Sequence, residues 1–334
     1  MRVLDRGAPL IAPGYAPTSS AALLSLGILL GGLVAAVALL ARVRNARLAR
    51  ASAWGLALAA IAAMDGLAAA QPAGLRMLAL CAATLYAMKG IVLTEHRLRG
   101  GRALSRSRWL GFTLLWPGMR PAEFANAEIE AGERTARLAR RGALQLGVGL
   151  LFVLGARALE GNAARSPLAV PLLACGLSLA VHFGLFNLLA AAWRTRGAMV
   201  GPLFRSPLAA TSLATFWSRR WNLAFSEMIQ LSVARPLRQR LGARGAAVVG
   251  FLVSGVLHVL AISLPVQAGY GGPMLYFALH GVLVQFEPWL ARRQRWLREG
   301  RWLAHLWVLV WIALPLPILF HAPFVEGVLE PLLR

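Results

Sequence analysis

Lysine is nearly absent from this chain. Lys89 is the only one in 334 residues, and all other basic charge is arginine. Acidic residues are scarce as well: 13 Asp and Glu stand against 35 Lys and Arg, a formal net charge of +22. Only 14% of the residues are charged, roughly half the share usual in soluble domains. The two cysteines, Cys81 and Cys175, sit inside apolar runs with neither CxxC nor metal-ligand spacing. That excludes a disulfide framework and a zinc site. The motif GxSxG of serine hydrolases is missing. A secretory signal peptide is not expected either. The first apolar run begins near Ala21, is too long for the core of a signal peptide, and is followed by no small-residue cleavage site.

What is present is hydrocarbon. Apolar residues make up 58% of the chain, and there are eleven Trp against four Tyr. Trp favours the membrane–water interface. Membrane crossing needs roughly 20 apolar residues in a row, and eight stretches qualify: 20–41, 52–71, 75–94, 142–160, 167–192, 246–265, 273–290 and 302–321. Pro315 and Pro317 predict a kink or break in the last one. The arginines test this count, because cytoplasmic loops carry the excess of positive charge. Segments 42–50, 95–141, 193–245 and 291–301 hold 28 of the 35 basic residues and all fall on the same side. The expected protein is therefore an all-α polytopic membrane protein of about eight transmembrane helices plus cytoplasmic and interfacial helices. Both termini lie on the non-cytoplasmic side, and the basic loops are cytoplasmic. Charge spread between spans in this way suits topology and anionic lipid better than nucleic acid, which is not expected as a partner.

The chain divides into a three-span region, 1–95, and a five-span region, 96–334, with two long cytoplasmic segments. The first of these, 95–141, contains TLLWPGMRPAEF and then AEIEAGERTARLARR. Glu128, Glu130 and Glu133 come before Arg134, Arg137, Arg140 and Arg141, an order that suits the helix dipole. The second, 193–245, ends in the amphipathic stretch WNLAFSEMIQLSVARPLRQRL, which is expected to lie in the interface or to dip back into the membrane. No internal repeat of the transporter kind is found.

Ionisable residues at membrane depth are costly, so each is a functional candidate. Asp65 and Lys89 lie in the second and third spans and could pair with one another. His182 and Asn187 lie in the fifth, His258 in the sixth, His280 in the seventh, and Glu287 one to two turns beyond. His305 and His321 flank the eighth and read as interfacial. The three mid-depth histidines lie on three spans with no HxxxH or HxxE pair, so a metal or haem is not expected. His258 stands out. In FLVSGVLHVL it is the one residue unsuited to a span; Ser254 lies one turn before it on the same face, and Gly255 lets a neighbour come close. Upstream, ATFWSRRWN gathers Phe216, Trp217, Arg219, Arg220, Trp221 and Asn222. An interfacial belt explains the Trp and Arg but leaves Asn222 unexplained.

FWSRRWN, VSGVLH and FALHG in this order, with WPGM at 116–119 and HFGLFNLLAAAWR at 182–194, resemble the wax synthase branch of the membrane-bound O-acyltransferases. The resemblance covers roughly residues 110–290. It implies a bundle of that family's kind, with acyl-CoA as co-substrate and no other cofactor, and transfer of a fatty acyl group to the hydroxyl of a long-chain alcohol. It also implies that Asn222 and His258 form the active site. One departure is Val259, where many members carry an acid after the histidine; Glu287 or His280 would then orient the imidazole. Trp217, Arg219, Arg220, Trp221, Ser254, His280, His182 and Asn187 are the expected substrate-binding residues, with Arg219 and Arg220 closest to the phosphates of acyl-CoA.

The chemistry suits these residue types. An alcohol is a poor nucleophile until its proton is removed, and a neutral imidazole is the usual base. An apolar surround disfavours the charged form of the ring. Asn222 would hold the thioester carbonyl or the developing oxyanion. A sterol, a diacylglycerol or a small secondary-metabolite hydroxyl remain open as acceptors, and a homo-oligomer remains open as the assembly. A transporter or flippase relaying protons through His182, His258 and His280 is the reading from another class. The expected location is the bacterial inner membrane, with the active site opening to the cytoplasm.

Overall fold

The computed structural model describes residues 12–125, 132–160, 166–294 and 301–334. Glu128 and Glu130 lie outside these residues, as does most of the basic loop 291–301. Among the described residues, regular structure is helical throughout, and seven helices are long and apolar enough to cross a membrane. The chain is an all-α polytopic membrane protein.

The first three helices are α1 (Ser20–Leu39), α2 (Ala46–Ala68) and α3 (Ala73–Leu98). Local chemistry sets their starts. Ser19 caps α1 by accepting from the Ala22 N–H at 3.1 Å, and Asn45 caps α2 through the Leu48 N–H at 3.0 Å. Asp65 and Lys89 do not pair. Asp65 on α2 takes Arg76 of α3, and the Lys89 ammonium donates to the carbonyl of Gly118. The sequence places Asp65 and Lys89 on adjacent spans but hides that each has a nearer partner.

Two short helices follow, α4 (Arg106–Leu115) and α5 (Ala122–Ala125), joined through the loop Trp116–Met119. Next come α6 (Glu133–Glu160) and a broken helix made of α7 (Ala169–Leu177), a π-helical turn Ser178–Leu185 and α8 (Phe186–Arg194). α6 and this broken helix approach closely. A Cβ added at Gly149 would lie 2.4 Å from the Ala180 nitrogen, so only glycine fits there.

The segment expected to be interfacial or re-entrant becomes the first arm of a helical hairpin. It runs through α10 (Leu223–Ile229) and a π-helical turn Gln230–Ala234 into α11 (Arg235–His258), preceded by the short α9 (Leu213–Thr215) and a π-helical turn Phe216–Arg220. The chain reverses at Gly242, whose φ of 69° and ψ of 177° are open to glycine and strained for other residues. Leu223, Ala224, Met228 and Ile229 are buried, and the second arm packs back on the first: Gly250 sits so close to Ile229 that a Cβ would lie 3.0 Å from its side chain.

The chain continues through a π-helical turn Val259–Ser263 and α12 (Leu264–Val266) to α13 (Gly271–Arg293), α14 (Arg301–Ala313), α15 (Leu316–Leu319) and α16 (Ala322–Phe324). The expected span 273–290 is the 23-residue α13, which is not among the seven apolar helices. His280, Gln285 and Glu287 lower its hydropathy. The last span breaks between α14 and α15, at Pro315.

Candidate active site

Three cavities are arranged around the hairpin. The outer cavity, about 220 Å³, lies between its two arms and the Phe216–Arg220 turn and α13. The inner cavity, about 360 Å³, lies on the other side of α10 against α3, α8 and the Pro117–Met119 loop. Asn222, Phe225 and His258 line both. A third, basic cleft of about 910 Å³ adjoins the outer cavity and shares Ser218, Ser226 and Gln230 with it.

The hairpin produces this junction. Residues 222, 226, 230 and 234 of the first arm and 258, 254, 250 and 246 of the second all line the outer cavity. Each series advances by four, so each occupies one helix face. Because the arms are antiparallel, Asn222 and His258 fall at the same level. The Phe225 ring stands 5.6 Å from the His258 ring, edge on, and Phe277 of α13 packs against the imidazole at 4.2 Å.

Asn222 has a left-handed backbone, φ 41°, which asparagine tolerates better than most residues. It is the N-cap of α10: its Oδ1 accepts from the Phe225 N–H at 3.3 Å. That fixes the amide rotation and leaves Nδ2 as a donor with no protein partner among the described residues. The chain on either side is held by backbone bonds: Arg205 N–H donates to Arg220 O at 2.8 Å and Leu223 N–H to Leu203 O at 2.9 Å.

The His258 Nδ1 lies 2.7 Å from the Ser254 carbonyl oxygen. A carbonyl only accepts, so Nδ1 carries the proton and Nε2 has a free lone pair. This overturns the expectation that Glu287 or His280 orients the imidazole. The helix's own backbone does it, one turn back. Ser254 in turn donates its hydroxyl to Gly250 O at 2.9 Å. Gly255 allows the close approach of α13, as a Cβ there would lie 2.8 Å from the Met274 sulfur.

The other expected residues divide. Trp217, Trp221 and Ser254 line the outer cavity. Trp221 stacks on Phe216 at 5.6 Å and Trp217 packs on Phe277 at 5.5 Å. Arg219 lines the basic cleft; Arg220 does not, and instead donates to the carbonyls of Arg205 and Ser206 at 3.3 and 3.0 Å. His182 lines the inner cavity. Asn187 and His280 line none of these three cavities. Asn187 is 6% exposed and paired with Gln145 of α6 at 3.2 Å. His280 is fully buried, with Nδ1 bonded to Tyr276 O at 2.8 Å. Both are buried polar groups; Asn187 links α8 to α6, while the His280 bond stays within α13.

Sequence reading missed the rest of the cleft: Arg99, Arg120, Arg205 and Arg235 join Arg219 there. They come from four segments, so no local motif announces them. Arg120 is paired with Glu227 at 2.9 Å, while Arg219 and Arg235 have no protein partner among the described residues. Ser226 and Gln230 were also missed, though their spacing of four from Asn222 was a legible signal. Glu287 lies outside the junction, where it accepts from the N–H groups of Leu213 and Ala214 at 2.9 and 3.3 Å and from Trp307 Nε1 at 3.0 Å. It anchors α9, and through α9 the turn that leads to Asn222.

Residues 200–279, which include this hairpin, match the family described as membrane bound O-acyl transferase. The chain is 35% identical over 102 residues to a long-chain-alcohol O-fatty-acyltransferase of Simmondsia chinensis, covering 28% of this chain and 29% of that protein. It is 36% identical over 113 residues to the probable long-chain-alcohol O-fatty-acyltransferase 6 of Arabidopsis thaliana, covering 30% and 33%. The probable long-chain-alcohol O-fatty-acyltransferase 9 of the same plant is 31% identical over 147 residues, covering 40% and 43%. Each match spans less than half of the relative's length. The chain resembles the wax synthase branch of the membrane-bound O-acyltransferases, as its FWSRRWN and VSGVLH motifs suggest.

Proposed function

We propose that the protein transfers a fatty acyl group from acyl-CoA to the hydroxyl of a long-chain alcohol, forming a wax ester. The observation that carries this reading is the junction: a free imidazole Nε2 and a free amide Nδ2 stand where two cavities meet. The names of the relatives point to the same chemistry.

The basic cleft is the place for the polyanionic head of acyl-CoA. Arg219 and Arg235 have no protein partner there among the described residues, and guanidinium binds phosphate well. Ser226 and Gln230, shared by the cleft and the outer cavity, suit the amides of the pantetheine arm. From Gln230 to Asn222 is eight residues, about 12 Å of helix, so the thioester arrives beside Asn222. The donor thus occupies the outer side, and the acceptor alcohol the inner cavity.

In the reaction His258 Nε2 removes the hydroxyl proton as the oxygen attacks the thioester carbon. The Asn222 Nδ2–H group stabilises the oxyanion, a contribution of about 3 kcal/mol in other enzymes. The carbon–sulfur bond then breaks. The thiolate takes the proton from the His258 imidazolium and leaves as free CoA, with the ester as the other product. Nδ1 keeps its proton and donates it to Ser254 O throughout, which keeps the ring in the tautomer the step requires. We place the cleft on the cytoplasmic side of a bacterial inner membrane and both termini on the opposite side, following the distribution of arginine.

Membranes containing the protein, supplied with labelled palmitoyl-CoA and hexadecanol, a sterol or a diacylglycerol, test this directly. Ester and free CoA should appear together with hexadecanol. Absence of ester with all three, ester with the sterol or the diacylglycerol but not with hexadecanol, or free CoA without ester, contradicts the reading.

A further inference from the structure

His182 is a second imidazole in the cavity that His258 lines, and the reaction above has no use for it. Its ring is held on three sides: against Phe204 at 4.6 Å, and edge on to Phe186 and Trp221 at 5.9 and 6.1 Å. Nδ1 shares a hydrogen bond with Ser178 Oγ at 3.3 Å. Nε2 has no protein partner among the described residues, and it is not among the enclosed polar atoms that lack one. It therefore opens to the cavity. The π-helical turn Ser178–Leu185 that carries it is a rare geometry, found frequently at functional sites. His280 is the contrast: its ring is equally fixed, but it is fully buried and lines none of the three cavities.

We propose that His182 selects the acceptor, and that the preferred acceptor is a long-chain alcohol with a second oxygen function within a few carbons of the hydroxyl that reacts. This rests on the reading of His258 as the base and of the inner cavity as the acceptor's. A simple alkanol has one oxygen, which His258 takes, so its hydrocarbon would cover the His182 Nε2 and leave it without a partner. A second hydroxyl or an ester carbonyl pairs with it, the imidazole tautomer adapting to donor or acceptor. His182, Asn222 and His258 line the same cavity of about 360 Å³, so one molecule can reach both polar points. A site that hydrogen-bonds a polar group discriminates strongly against the analogue that lacks it.

The test measures kcat/KM for 1,2-hexadecanediol and for hexadecanol with palmitoyl-CoA, in the parent and in His182→Leu and His182→Gln. The parent should favour the diol by about tenfold or more. His182→Leu should bring the ratio near one, and His182→Gln, which keeps a hydrogen-bonding head, should retain part of the preference. Equal use of the two alcohols by the parent overturns the proposal and leaves the base intact, as does a diol preference that survives in His182→Leu. Failure of the parent to esterify either alcohol overturns both readings.

Discussion

Asn222 and His258 stand at the same level of one helical hairpin, 36 residues apart in sequence and both on the wall between two cavities. The pairing follows from the position of the turn at Gly242 and from helical spacing of four on each arm. Neither residue depends on the other for its orientation. Asn222 is fixed as a helix cap and His258 by the carbonyl one turn before it.

Arg219 and Arg220 are adjacent but face different work. Arg219→Gln should raise KM for palmitoyl-CoA about tenfold through loss of a charge-assisted bond. It should have little effect on a palmitoyl thioester of N-acetylcysteamine, which has no phosphate. Arg220→Gln should instead lower the thermal midpoint, because the carbonyls of Arg205 and Ser206 lose their donor. Equal effects of Arg219→Gln on both thioesters would show that the cleft does not read phosphate.

Glu287→Ala should destabilise the fold by about 3 kcal/mol, since it leaves the buried N–H of Leu213 and the partly buried N–H of Ala214 without an acceptor. The same variant should lower kcat, because α9 leads directly into the turn that presents Asn222. Glu287→Gln keeps one carboxamide oxygen and should fall between. Thermal unfolding in detergent beside an ester assay checks both; an unchanged midpoint in Glu287→Ala contradicts the anchoring role.

How much of this could be read from the sequence depends on range. FWSRRWN and VSGVLH are local, and Asn222 and His258 were identified from them. The apolar runs gave the helices. The amphipathic stretch ending in RPLRQRL suggested an interfacial or re-entrant helix, but Gly242 directly after it did not by itself announce that the chain folds back on that helix. The partners of Asp65, Lys89 and Glu287 were hidden because each is set by tertiary packing. Asn187 and His280 show the limit of the rule that intramembrane polar residues are functional. Both are buried, Asn187 bonded to Gln145 of α6 and His280 to the carbonyl one turn back on its own helix.

Lys89 is fully buried, with its ammonium on Gly118 O and 3.6 Å from the Phe112 ring centroid. It pins the loop whose Pro117 and Met119 wall the inner cavity. Lys89→Met fills the same space without the bond. It should cut the rate with long-chain alcohols several-fold and change the preferred chain length. A chain-length profile identical to the parent's would contradict this role.

Glu123 on α5 gives a pH dependence. Burial, and then the nearby Glu227 carboxylate, push its carboxyl up to about 7 from an ordinary 4.5, against the pull of Arg120, Arg205 and Lys89. A raised carboxyl pKa means the folded state disfavours the ionised form. Stability should therefore be highest below pH 4.5 as far as this group is concerned, and be lost as pH rises through about 7. Glu123→Gln should flatten the fall in thermal midpoint between pH 5 and pH 8; an unaltered slope would rule out this residue as its source.

The most direct test of the account is ester formation by His258→Ala and Asn222→Ala, with each variant present in the membrane at the parental level and eluting like the parent in detergent. Loss of the base should lower kcat by about 10²–10⁴-fold, and loss of the amide by about 10²-fold or more, with KM for palmitoyl-CoA changed little in both. Ester formation by His258→Ala at the parental rate would contradict the account and leave the histidine as a residue that packs two helices.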